Sequence, residues 1–241
     1  MPTPELKPFI LKFIANRKYF STQAIKASVA KRGLKHNAAT INQRLHNLKS
    51  QAKIFDAGRG WYSTISQPYT PYTAPLKELV SQISTKFPFL EFACWSTEQF
   101  QGHAHHMMGR FVRFVYTDTD SMSSVAEFLK DNNYDAHLNP RKGEVEKYFT
   151  PSQTTVVVRP SVSEEPLAGN YATVEKMLLD LFVEKDRLYL MDQAEYNRIF
   201  RNLALAYRIN LACLLRYADR RKVKGAFIKN VLSDSSNAIL M

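Results

Sequence analysis

One helical run combines residue types suited to reading base edges. Ala39, Thr40, Gln43, Arg44 and Asn47 fall opposite Ile41, Leu45 and Leu48. Gln and Asn pair bidentately with adenine, Arg with guanine, and Thr or Ala touches a thymine methyl. Asn37 stands where it can cap the start of that helix. On the preceding run, Thr22, Gln23 and Lys26 suit phosphate contacts. Arg59, between Gly58 and Gly60, sits at a hairpin tip and suits backbone or minor-groove contact. The same stripe also fits a solvated basic face that holds RNA or a partner protein, so side-chain type alone does not decide.

Three further clusters carry chemical potential. His103, His105 and His106 are close enough to share a metal ion, but no cysteine or acid arrangement nearby completes a site, and no metal is expected. Glu144-Val-Glu146-Lys147, with Glu91 and Asp118 upstream, has the acid–x–Lys spacing of metal-dependent nucleases if it lies on a strand, although it reads equally well as a charged turn. Arg216, Arg220 and Arg221 form a basic patch at a helix end, favourable to the helix dipole or open to a partner. No glycine-rich phosphate loop or Gly-x-Ser-x-Gly is present. The expectation is a protein without catalytic activity or cofactor.

The charge is unevenly placed. Residues 1–67 hold twelve Lys or Arg and two acids, a net +10 of the chain's +11. Such asymmetry points to a polyanion-binding module on a neutral body. Two cysteines, Cys94 and Cys213, cannot build a disulfide framework and suit a reducing compartment. No apolar run approaches the ~18 residues of a membrane span. The opening MPTPELKPFILKFIANRKYF lacks a small-residue cleavage site, so no signal peptide is expected. A cytoplasmic protein follows.

The elements that must position these residues are legible in outline. Leu6, Phe9, Ile10, Phe13 and Ile14 mark a first helix. Ser21 or Thr22 can cap a second that ends at Gly33, and the third follows Asn37. Two short β-capable runs around Gly58-Arg59-Gly60 complete a winged helix-turn-helix. Three prolines in Gln67–Pro75 read as a linker over 68–75. Strand runs at Phe89–Trp95, Arg110–Tyr116, Asp135–Leu138 and Thr154–Arg159, with helices at 76–83 and 121–132, predict a mixed sheet unit. Four amphipathic helices follow from Thr173. The fold class is α+β: an N-terminal winged helix-turn-helix over 1–67, then a mixed sheet and a C-terminal helical bundle over 76–241, expected to fold as its own body.

Two segments resemble the AbiEi antitoxins of type IV toxin–antitoxin systems. One is Ala38–Ile65, similar to a recognition helix and wing ending in a Gly-Arg-Gly-aromatic turn. The other is Thr173–Leu181 (TVEKMLLDL), similar to the family's Ser-Pro-Glu-Arg-Thr-Leu-Leu-Asp-Leu string, with Val174 in place of its proline. The closing LLRYADRRK is similar to the family's last helices. The resemblance implies an autorepressor that binds operator DNA, possible as a homodimer, and counteracts a nucleotidyltransferase toxin without clamping it. It also implies that Arg216, Arg220 and Arg221 lie on the antitoxin surface. The alternatives from other classes are a metal-dependent nuclease guided by the winged helix and a plain ligand-responsive regulator.

Overall fold

The computed structural model describes residues 6–105 and 109–233. Among these, two compact units form: residues 6–69 with 200–216 and 224–233, and residues 70–199 with 217–223. No helix among the described residues is long and apolar enough to cross a membrane.

The first unit starts with α1 (Leu6–Ala15), β1 (Tyr19–Ser21), α2 (Thr22–Lys31), α3 (Ala38–Ser50), β2 (Phe55–Asp56) and β3 (Trp61–Ser63). The antiparallel sheet has the order β1-β3-β2, the topology of a winged helix. The expected apolar stripes build its core: Leu6, Ile10 and Ile14 from α1, Ile25 and Val29 from α2, and Ile41, Leu45 and Leu48 from α3. Both expected caps form. The Ser21 side chain accepts from the Ala24 amide and the Asn37 side chain from the Thr40 amide, each relieving an orphan donor at a helix start.

The end of the chain completes this unit. The Tyr19 hydroxyl is fully buried; it donates to the Tyr207 carbonyl at 2.7 Å and accepts from the Ile209 amide at 2.9 Å. The Arg208 amide donates to the Gln67 carbonyl at 2.7 Å, and its guanidinium lies 5.2 Å from the centre of the Phe55 ring. Residues 67–69 are therefore tied to the 207–209 segment and are not a free linker. The expected grouping of all of 76–241 in one body is corrected on the same ground: residues 200–216 and 224–233 belong with the winged helix. Local periodicity marks an apolar face but not the distant segment that covers it. Tyr19→Phe should cost about 1–3 kcal/mol, because a buried amide loses its acceptor; chemical denaturation checks this, and an unchanged midpoint would remove the hydroxyl's role.

The second unit contains α4 (Lys77–Lys86), β4 (Phe92–Ser96), β5 (Arg113–Thr117), α5 (Met122–Asp131), β6 (Asp135–Leu138), α6 (Lys142–Tyr148), β7 (Thr155–Pro160), β8 (Leu167–Ala168), β9 (Tyr171–Ala172) and α7 (Val174–Arg187). The strand order is β6-β7-β5-β4-β9-β8. β6, β7 and β5 run parallel, and β4 is antiparallel to β5. Period-two alternation assigns the faces. Phe92, Cys94, Val115, Val156 and Val158 pack with Leu79 and Ile83 of α4 and Val125 and Leu129 of α5. Trp95, Phe114, Tyr116 and Arg159 occupy the alternate positions, with the Trp95 and Phe114 rings stacked at 4.3 Å. The remaining helices are α8 (Gln193–Ala206), α9 (Leu211–Arg220) and α10 (Lys224–Phe227), the last running on into a π-helical turn. The boundary between the units passes through α8 and α9.

Candidate nucleic-acid interface

The polar face of α3 differs in detail from the sequence expectation. Asn37 and Thr40 serve the helix start: besides the amide bond, the Thr40 hydroxyl donates to Asn37 Oδ1 at 2.9 Å. Ala39 and Gln43 are exposed, and Gln43 Nε2 donates to Asn47 Oδ1 at 3.1 Å. Arg44 is half-buried and lines a small hollow with Lys7, Asn47 and Gln51. The outermost polar side chains include two that the sequence reading passed over, Asn42 and His46. The signal was available: with Ile41, Leu45 and Leu48 inward, the helical period places 43 and 46 opposite them and Arg44 on the flank.

On α2, Gln23 is exposed, while Thr22 and Lys26 are half-buried. Arg59 is exposed in the turn between β2 and β3, where Gly58 and Gly60 adopt φ of +94° and +77°. The turn is held on two sides. The Gly60 carbonyl accepts from the Thr22 amide at 2.9 Å, and the Ala57 carbonyl accepts from the Ala212 amide at 3.3 Å. A Cβ at Gly58 would lie 2.1 Å from Asn210 Oδ1 and 2.6 Å from the Ala212 Cβ. The start of α9 thus fixes the wing turn and leaves the Arg59 side chain free to extend. Lys49 of α3 pairs with Asp56 of β2, tying helix to wing.

The second unit buries charges that the sequence presents as a solvated stripe. Lys176, Asp180 and Glu184 recur every four residues on α7, and all three are fully buried. Lys176 Nζ lies 3.0 Å from Glu165 Oε1 and 2.8 Å from Asp180 Oδ2, donates to the Tyr217 hydroxyl at 2.9 Å, and sits 3.6 Å from the centre of the Tyr116 ring. Tyr217 in turn donates to Asp180 Oδ1 at 2.8 Å. Arg159 grips Glu184 Oε2 through Nη2 at 2.6 Å and Nε at 3.2 Å, and its Nη1 donates to Asn139 and the Pro140 carbonyl. Burial pushes the Glu184 carboxyl up despite Arg159, and burial with Asp180 and Glu184 pushes the Tyr116 phenol well up.

This network absorbs part of the antitoxin-like string and of the expected antitoxin surface. Thr173 does not cap α7 with its side chain; its hydroxyl donates to Glu175 at 2.6 Å. Arg221 is not a surface residue: its side chain is 9% exposed and lies 3.6 Å from Asp180. Arg220 is engaged with Glu164, and Arg216 alone of the three is exposed.

The acid–x–Lys run lies on α6 rather than on a strand. Glu144 accepts from the Arg141 amide, Glu146 pairs with the Tyr189 hydroxyl, and the Lys147 side chain lies outside what the structure describes. Asp118 accepts from the Ser121 amide. The His105 amide donates to Glu195, burial lowers the His103 pKa, and His106 lies outside the described residues. Among the described residues no three His, Cys, Asp or Glu gather as metal ligands.

These elements define an α+β protein with an N-terminal winged helix. The chain belongs to DUF6577, a family of unknown function, whose model matches residues 40–237. The match begins inside α3 and takes in the wing and the buried network. No curated protein matches the chain.

Proposed function

We propose that the protein is a sequence-specific DNA-binding repressor that acts in the cytoplasm on its own operon and serves as antitoxin to a nucleotidyltransferase toxin without clamping it. The observation that carries the DNA reading is the exposed face of α3, with Asn42, Gln43 and His46, inside a segment of net charge +10. A helix of this kind in a winged fold enters the major groove, while the surrounding lysines and arginines neutralise phosphates. Arg59, carried on a turn fixed by α2 and α9, contacts the backbone. The antitoxin reading rests on the likeness of Thr173–Leu181 to the AbiEi string.

The test uses the full chain, since residues 207–212 complete the winged unit. Fluorescence anisotropy should show preference for a duplex from the protein's own promoter over a scrambled one. Affinity should fall with salt at a log–log slope of about −0.9 per phosphate contact. Equal affinity for both duplexes would remove the repressor reading. His46→Ala and Gln43→Ala should change base preference, at about 1–3 kcal/mol for the contacted pair. Arg59→Ala should weaken all sequences alike. A shared profile for His46 and Arg59 variants would mean the assignment of helix and wing is wrong. Co-expression with a nucleotidyltransferase encoded beside the gene should restore growth; if it does not, the antitoxin half falls and the DNA half stands.

A further inference from the structure

The second unit holds a cleft of about 600 Å³ that the DNA reading does not use. Its walls include Val112 before β5, Phe149 after α6, and Leu190 after α7. Its polar groups are few and distinct. Arg110 lines it, and Nη1 donates to the Pro151 carbonyl at 2.8 Å, which holds the guanidinium in place while its other donors remain available. Among the described residues no carboxylate pairs with Arg110. The one acid in the lining, Glu146, already accepts from the Tyr189 hydroxyl, and the Lys142 ammonium lies 5.4 Å from the centre of that ring. Tyr189 also adopts φ +51°, a left-handed backbone conformation costly for an aromatic residue.

Size, apolar walls and a small set of convergent polar groups are the attributes of a small-molecule site. The sign of the free charge selects the ligand. Two cations, Arg110 in the lining and Lys142 beside the Tyr189 ring, stand against the single carboxylate of Glu146, so the net charge about the cleft is positive. We propose that this cleft binds a small amphiphilic organic anion, its apolar body against Val112, Phe149 and Leu190 and its carboxylate, sulfonate or phosphate on Arg110. The planar guanidinium suits a bidentate contact with such a group. The site does not depend on the DNA reading, and its test needs no DNA.

The probe is 8-anilinonaphthalene-1-sulfonate, an aromatic anion whose fluorescence rises in apolar surroundings, titrated into the folded full chain. Saturable binding at one site per chain is expected. Arg110→Gln should weaken it at least tenfold and Arg110→Lys less, while neutral N-phenyl-1-naphthylamine binds wild type and both variants alike. Leu190→Trp should weaken both probes by narrowing the apolar floor. Amide exchange gives a readout that needs no variant: saturating sulfonate should slow exchange in 145–149 and 188–190. Absence of saturable binding, an unchanged affinity in Arg110→Gln, or protection confined to other segments would each overturn the proposal.

Discussion

Lys176→Met should destabilise the protein by about 3–5 kcal/mol, the cost of breaking a buried ion pair by removing one partner. The Lys176 ammonium meets Glu165, Asp180, the Tyr217 hydroxyl and the Tyr116 ring, and the Lys176 and Asp180 side chains are wholly buried. Removing it leaves the buried Glu165 carboxylate without its cation and Asp180 with only the more distant Arg221, at 3.6 Å. Asp180→Asn should cost less, since the amide keeps a hydrogen-bonding oxygen for Tyr217. In the double variant Lys176→Met with Asp180→Leu, only part of the loss should return, because the Asp180 charge goes with its cation while Glu165 and Arg221 still lose a partner. Urea unfolding of Lys176→Met, Asp180→Leu and the double variant gives the coupling directly. A single-variant loss below about 1 kcal/mol would place these residues in the class of exposed pairs and contradict their burial.

The second large effect is expected at the wing. Gly58→Ala should cost about 2–4 kcal/mol, combining left-handed strain with overpacking. The new methyl group would meet Asn210 Oδ1 at 2.1 Å and the Ala212 Cβ at 2.6 Å. Gly60 is an internal control: its φ is +77°, yet nothing lies within 4 Å of an added Cβ. Gly60→Ala should therefore show the strain alone, about 1 kcal/mol at the lower end of that range. The difference between the two melting shifts isolates the clamp from α9. If the two variants melt together, the close approach of residues 210–212 to the turn does not hold. On the proposed DNA-binding role, Gly58→Ala should also lower affinity for duplex DNA, because Arg59 then stands on a displaced turn.

Sequence reading reached the local features and stopped at the distant ones. The caps of α2 and α3, the stripes of the three N-terminal helices and the strands β4 to β7 follow from turn chemistry and periodicity, which neighbouring residues determine. The polar face of α3 was legible too, apart from its rotation toward Asn42 and His46. Lys176, Asp180 and Glu184 were not, since charges four residues apart are the usual mark of a solvated helix face. Their burial depends on Arg159 and Tyr116 from strands and on Tyr217 and Arg221 from near the end of the chain. Spacing alone also misplaces Glu146: on α6 it lines a cleft with Arg110, 36 positions away in the chain. The unit boundary was misplaced because prolines at 68, 71 and 75 signal a break in regular structure, which says nothing of what the flanking residues bond to.

The hydrogen bonds of Tyr19 to residues 207 and 209, and the cover that Asn210 and Ala212 give the wing turn, have a consequence for synthesis. Domains begin to fold from the N-terminus as the chain emerges, and α1 to α3 share a core made before residue 55. Their sheet pairs within residues 19–63, but the Tyr19 hydroxyl finds its partners 188 and 190 positions downstream. A polypeptide cut short by premature termination carries the exposed face of α3 and lacks the segment that covers the wing turn. A product that stops short of residue 212 therefore lacks the bonds and contacts that hold the wing turn.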